Sequence, residues 1–252
     1  MRNNGLLKRL MPTKKGVTLI ELLVVLVITG IVVGGIYKVF VAQTRAYTLQ
    51  DQVAEVQQDV RGAMDIMVRD IQMAGFQNNS FALLNPNGSA LISSNRIVTP
   101  LSDNAIQVYY EYNPTSNSPP VYEVVYQWIP PSPGGSLYRT LYVSNANGAM
   151  VQTDYTDLLD NVTNLNFSYG IDASGSGVIN GIDTSTGLTP NSAFQTAEYV
   201  NALPTAKILA VRIQLTAKPT SADPDVTTMV SPRTLTSVVI PRNVFFQRYQ
   251  AY

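Results

Sequence analysis

The 252 residues are 45% apolar and only 13% charged, with 17 basic and 17 acidic side chains that cancel. There is no cysteine and no histidine. Disulfides, thiol nucleophiles, Ser-His-Asp triads and the usual zinc ligands are therefore excluded. The zero net charge conceals an asymmetry: residues 1–16 hold Arg2, Lys8, Arg9, Lys14 and Lys15 and no acid, which leaves 12 basic against 17 acidic residues in the rest. The remainder has no nucleic-acid footprint.

The first element is the apolar run Val17–Tyr37, 21 residues with one charge, Glu21, closed by Lys38. As a helix it is about 31 Å long, enough to cross a bilayer core. The cations before it act as a retention signal on the cytoplasmic side. A secretory signal peptide would need a small-x-small cleavage site after the run, and Phe40-Val41-Ala42 is too bulky at its first position. A plain signal anchor explains the charge asymmetry but not Glu21, since a carboxylate in an apolar span costs roughly 2.5 kcal/mol or more. A buried helix of a soluble protein fits neither the length nor the flanking lysines.

The junction Lys14-Lys15-Gly16-Val17-Thr18-Leu19-Ile20-Glu21-Leu22 resembles the signal of type IV prepilins and type II secretion pseudopilins. Their leader is basic, ends in Gly, and is followed by a Phe-Thr-Leu-Ile-Glu-like start. The resemblance implies cleavage between Gly16 and Val17 by a membrane aspartyl peptidase, the prepilin peptidase, with N-methylation of Val17. Here Val17 stands where the family has Phe. The family reading gives Glu21 a role in assembly, pairing with the new amine of a neighbouring subunit as the apolar helix leaves lipid for the filament core. A buried pair of that kind sets register more than it adds net stability. Gly30-x-x-x-Gly34, with Gly35, permits close helix approach or is simply tolerated in a lipid span.

Beyond Lys38 the pattern stays helical. Val53, Val56, Val60, Met64, Met67, Ile71 and Ala74 form one apolar stripe. Gln, Asp and Arg are expected on the opposite face, and Arg61, Asp65 and Arg69 are spaced to pair on the surface. The methionines are read as core. One helix from Val17 to Ala74 is predicted, with Gly75 as a left-handed cap. Its Met64-x-x-Met67-x-Arg69-Asp70-Ile71-x-x-Ala74-Gly75 stretch resembles the PilW-type minor pilins and, more distantly, pseudopilin J.

Residues 77–104 read as a long loop. Strands are predicted at Ile106–Tyr112, Val121–Ile129, Leu137–Val143, Val162–Tyr169, Ile208–Thr216 and Leu235–Ile240, with a hairpin across the Pro/Gly cluster 130–135. The 14 tyrosines are half-buried strand residues with wet hydroxyls or an adhesive surface. Asp172, Ser174, Ser176, Val178, Asn180 and Asp183, with Gly177 at the sixth position, have the spacing of a 12-residue calcium loop, or are a Gly/Ser turn. Residues 184–204 read as a surface loop.

The resulting expectation is an α+β type IV pilin fold: leader 1–16, helix 17–76 and β-rich head 77–252. The resemblance implies a minor pilin that primes or caps a filament, and no enzyme. It implies as partners the peptidase, the inner-membrane assembly platform, a major pilin and other minor pilins, with no nucleic acid. The chain would sit in the inner membrane with a periplasmic head, then in a pilus and at the cell surface. No cofactor is required, and calcium is the one candidate. A J-like pseudopilin, or a membrane-anchored binding protein, is the alternative.

Overall fold

The computed structural model describes residues 16–76, 97–111, 120–130, 135–145, 147, 149–173, 179, 194–203, 206–219 and 231–242. The chain divides into two compact units, Met1–Gln50 and Asp51–Tyr252.

Helix α1 spans Leu19–Met73, within two residues of expectation at its start and one at its end. It stops where Gly75 adopts φ 73°, a conformation in which a Cβ would collide with the backbone. The chain end is then tied to a strand: the Gly75 N–H donates to the Tyr109 carbonyl at 2.8 Å, and the Glu111 N–H to the Phe76 carbonyl at 2.7 Å.

Seven antiparallel strands follow in sequential order: β1 Val98–Ser102, β2 Ala105–Glu111, β3 Val121–Ile129, β4 Gly135–Ser144, β5 Met150–Asp172, β6 Lys207–Ala217 and β7 Arg233–Val239. Helix α2, Ala197–Ala202, lies between β5 and β6. This is the expected α+β arrangement, with three corrections. The loop 77–104 contains β1, a short strand whose Pro100 disguises it. The loop 184–204 contains α2, capped by Thr196 and burying Ala197 and Val200. The strand predicted at 162–169 is 23 residues long.

That length arises because β5 serves two neighbours. Its first part pairs with β4 as far as Val162, and its second pairs with β6 from Val162 onward. The changeover is built on Asn161, at φ 53°, one of the few side chains that tolerate left-handed backbone. The register shifts beside it, and the Asn161 carbonyl accepts from the Lys218 N–H at 3.0 Å, as expected of a bulge that bends a strand.

The stripe of α1 buries Val56, Val60, Ala63, Met64, Met67, Ile71 and Ala74 in one core with Ile106, Val108, Val124, Tyr126, Leu137, Phe167, Tyr169, Ile213 and Leu215. Strand alternation does the rest: Val211, Ile213 and Leu215 are buried, while Arg212 and Gln214 turn outward. Most strand tyrosines are half-buried, but Tyr126 and Tyr169 are wholly inside. Tyr110 stacks on Tyr122 and Tyr138 on Tyr155, with ring centroids 5.4 and 5.0 Å apart.

Candidate functional site

The N-terminal segment is built from its first residues upward. Thr18 accepts from the Glu21 N–H through its hydroxyl at 3.4 Å, and its carbonyl accepts from the Leu22 N–H at 3.2 Å. Thr18 is thus the helix N-cap. The Thr-x-x-Glu spacing, half of a capping box, is the sequence signal that sets the start of the helix at Leu19 and not at Val17. The cap leaves Gly16 and Val17 outside the helix, exposed and in irregular backbone. Glu21 falls in the first turn, where the unpaired amide dipoles favour a carboxylate.

From Val17 to Phe40 every described side chain is exposed, the large apolar ones from 48% to 82%. Among the described residues one helix is long and apolar enough to cross a membrane, and it is this one. A Cβ built on Gly30, Gly34 or Gly35 meets nothing within 4 Å. No described residue of this chain requires glycine there. Past Lys38, Thr44 and Thr48 donate back to the carbonyls of Phe40 and Thr44 at 3.0 and 3.1 Å, so their hydroxyls are satisfied within the helix.

The second functional feature is the clamp between the buried part of α1 and the sheet. Asp70, three residues after Met67, is 4% exposed. Its Oδ2 accepts from the Tyr126 hydroxyl at 2.6 Å, from Arg139 Nε at 2.9 Å and from Arg139 Nη2 at 2.9 Å. Tyr126 and Arg139 are cross-strand partners on β3 and β4, so one carboxylate gathers two adjacent strands onto the helix. Burial, then Asp70, push the Tyr126 hydroxyl far above its ordinary value. Burial alone would lower Arg139, but Tyr126 and Asp70 more than offset it and hold the guanidinium above its usual range. The surface pairing expected for Arg69 goes instead to Asp70, at 3.7 Å with Arg69 70% exposed, which is worth little.

Of the candidate calcium ligands, Asp172 ends β5 and is 2% exposed. Ser174, Ser176, Val178, Asn180 and Asp183 lie outside the described residues. Among the described residues no three acidic side chains gather to hold a metal.

An apolar, membrane-capable helix whose second half packs on a sequential antiparallel sheet defines the class: this is a type IV pilin-like protein. Residues 11–37 match the family model of the prokaryotic N-terminal methylation motif, and residues 128–243 match that of the type IV pilus-assembly protein W. The two matches support a type IV minor pilin of the PilW type, a family of structural pilus proteins and not of enzymes. No curated protein matches it.

Proposed function

We propose that the chain primes or caps a type IV pilus, after removal of residues 1–16 by prepilin peptidase and N-methylation of Val17. The observation that carries this reading is the arrangement at the helix start. Thr18 caps α1 so that the Gly16–Val17 bond stands in exposed, non-helical backbone, the form in which a peptidase can take it. One turn further on, Glu21 is the sole charge in a fully exposed apolar segment.

Two environments treat that charge differently. In lipid, Glu21 is a carboxylate without a cation. In a filament, the free amine that cleavage creates on a neighbouring Val17 supplies one, and the exposed apolar side chains bury one another. The head would remain in the periplasm until assembly carries it outward, with the assembly platform, a major pilin and other minor pilins as partners. A J-like pseudopilin would use the same N-terminus in a secretion system.

The test is the intact mass and N-terminal sequence of the protein from cells with and without prepilin peptidase. A chain beginning at Val17 only when the peptidase is present supports the reading. A chain that keeps Met1–Gly16 in both cells overturns it. Loss of surface pili on deletion, with protein secretion intact, separates the pilus from the secretion system.

A further inference from the structure

Between the second half of α1 and the middle of β5 lies a cleft of about 580 Å³. Its floor is apolar: Ala63 and Leu159 are buried, and Ile66 and Leu158 are half-buried. Its rim is acidic, with Asp59 on α1 and Asp157 and Asp160 on β5, all exposed. No lysine or arginine lines it, and among the described residues none of the three carboxylates is in an ion pair. The Ser136 hydroxyl donates to Asp160 at 2.5 Å. Burial, then the Asp160 charge, raise Asp157 above its usual range. Two carboxylates held side by side make a place that a cation relieves.

Gly62 opens this cleft. Glycine is a poor residue for a helix interior. A Cβ at position 62 would meet nothing within 4 Å, so packing against the described residues gives no reason for it. Its missing side chain leaves space into which another group can come close.

The chemistry of the occupant follows from floor and rim together. A bare metal ion would need the acids to converge, and among the described residues no three acidic side chains gather to hold one. The acids stand instead on the two elements that border an apolar floor. Lysine and arginine match that pattern, because their aliphatic stems lie on apolar surface while their charged ends reach carboxylates. A second copy fits less well. Residues 17–252 carry 12 basic against 17 acidic side chains, and like-charged copies repel.

We propose that the cleft docks a lysine- or arginine-bearing segment of a different protein, with its stems over Ile66 and Leu158 and its cations at Asp59, Asp157 and Asp160. Such docking is independent of cleavage after Gly16.

The test titrates the full-length chain in detergent with a fluorescein-labelled peptide, Ala-Lys-Leu-Lys-Ala, read by polarisation. Saturable binding is expected, with none for Ala-Glu-Leu-Glu-Ala. Asp157→Asn with Asp160→Asn should weaken it about tenfold, the worth of two exposed ion pairs. Gly62→Leu fills the cleft, meets no neighbour and favours the helix, so it should weaken binding at least as much with no loss of melting temperature. Asp65→Asn removes an exposed acid of α1 that does not line the cleft and should leave binding unchanged.

No saturable binding of the basic peptide overturns the proposal. So does binding that Gly62→Leu leaves intact in a chain that melts as the wild type does. An equal loss in Asp65→Asn would show general attraction to an acidic protein, and overturns it too. Spermidine binding as tightly as the peptide would make this a site for free amines and not for a protein segment.

Discussion

The Tyr126 hydroxyl donates to the Asp70 carboxylate at 2.6 Å across 56 positions of sequence, and this contact fixes the helix on the sheet. Arg139 completes it, with a side chain 14% exposed against 5% for Asp70. Removing one member of a buried ionic cluster leaves the other uncompensated, which costs about 3–5 kcal/mol. Asp70→Ala is expected to lose stability on that scale in a denaturant melt. Tyr126→Phe keeps the ion pair and loses the hydroxyl's bond to Asp70 and the one it accepts from Arg139 Nε at 3.2 Å, and should cost less, about 1.5–3 kcal/mol, the scale of a hydrogen bond to a charged group. Equal losses in the two variants would show that Tyr126, not the charge, holds the clamp.

Gly135 sits where β4 begins, against the changeover in β5. A Cβ there would lie 2.8 Å from the Ile129 carbonyl oxygen and 2.9 Å from that of Val162, and it would also strike the indole of Trp128. Two of these neighbours are backbone and cannot swing aside. Gly135→Ala is therefore expected to cost about 1–3 kcal/mol through overpacking. It should also break the bond from Trp128 Nε1 to the Val162 carbonyl, now 3.2 Å. The chain has one tryptophan, so its fluorescence reports the site directly. Unchanged emission with unchanged stability would contradict the geometry.

Much of this architecture is legible in the sequence, and the exceptions share a cause. The stripe from Val56 to Ala74 announces its helix because one face is buried, and β6 announces itself by alternation. The first part of β5 does neither. Val151–Asp157 is exposed or half-exposed on both faces, so no pattern marks it, and only pairing with β4 makes it a strand. The burial of Asp70 is not marked in the sequence, because a charged side chain ordinarily belongs to the surface. Its position three residues after Met67 put it beside the stripe, but its partners lie on β3 and β4, beyond any local pattern. At the N-terminus the junction residues were legible, and the cap formed by Thr18 was the part missed.

Stability is expected to fall steeply in alkali. Burial, then the nearby Glu123 charge, push Tyr109 up to about 12. Burial, followed by Asp70 for Tyr126 and Asp103 for Tyr169, drives those two higher still. In the unfolded chain all three ionise near pH 10, the ordinary tyrosine value. A folded value above the unfolded one means that the folded chain holds its proton longer. The contribution is fully present below about pH 10 and is lost as pH rises through about 12. Tyrosinate absorbance should then appear together with loss of the near-ultraviolet dichroism. Ionisation of these residues in a chain that stays folded would refute the assignment.

We also propose that the 172–183 loop takes calcium weakly, with Asp172 as its first ligand. Asp172 is already buried at the end of a strand, so its carboxylate is held in place before any ion arrives. The two carboxylates of the loop, Asp172 and Asp183, are few for such a site, and the affinity should fall in the weak extracellular range of about 10⁻⁴–10⁻³ M. Calcium is expected to raise the melting temperature of the detergent-solubilised chain. Asp183→Asn, which leaves the buried position untouched, should remove that rise. A wild-type melt indifferent to millimolar calcium would retire the site.

Glu21 provides the sharpest separation between processing and assembly. The proposed scissile bond, Gly16–Val17, lies before the Thr18 cap, outside the helix, whereas Glu21 lies inside its first turn. Glu21→Ala therefore should be cleaved as the wild type is, and intact mass should show a chain starting at Val17. Assembly should fail. The amine of a neighbouring Val17 would enter the apolar core with no carboxylate, and an orphaned buried charge costs several kcal/mol. Glu21→Gln keeps the shape and a hydrogen-bond acceptor but not the charge. It should fail with Glu21→Ala if charge pairing sets the register, and recover with wild type if a hydrogen bond suffices. The readout is the share of each variant in sheared filaments against the membrane fraction. Normal entry of Glu21→Ala into filaments would leave the carboxylate without a role in assembly, and its place in the apolar segment would then need another cation, supplied by the membrane-bound chain itself.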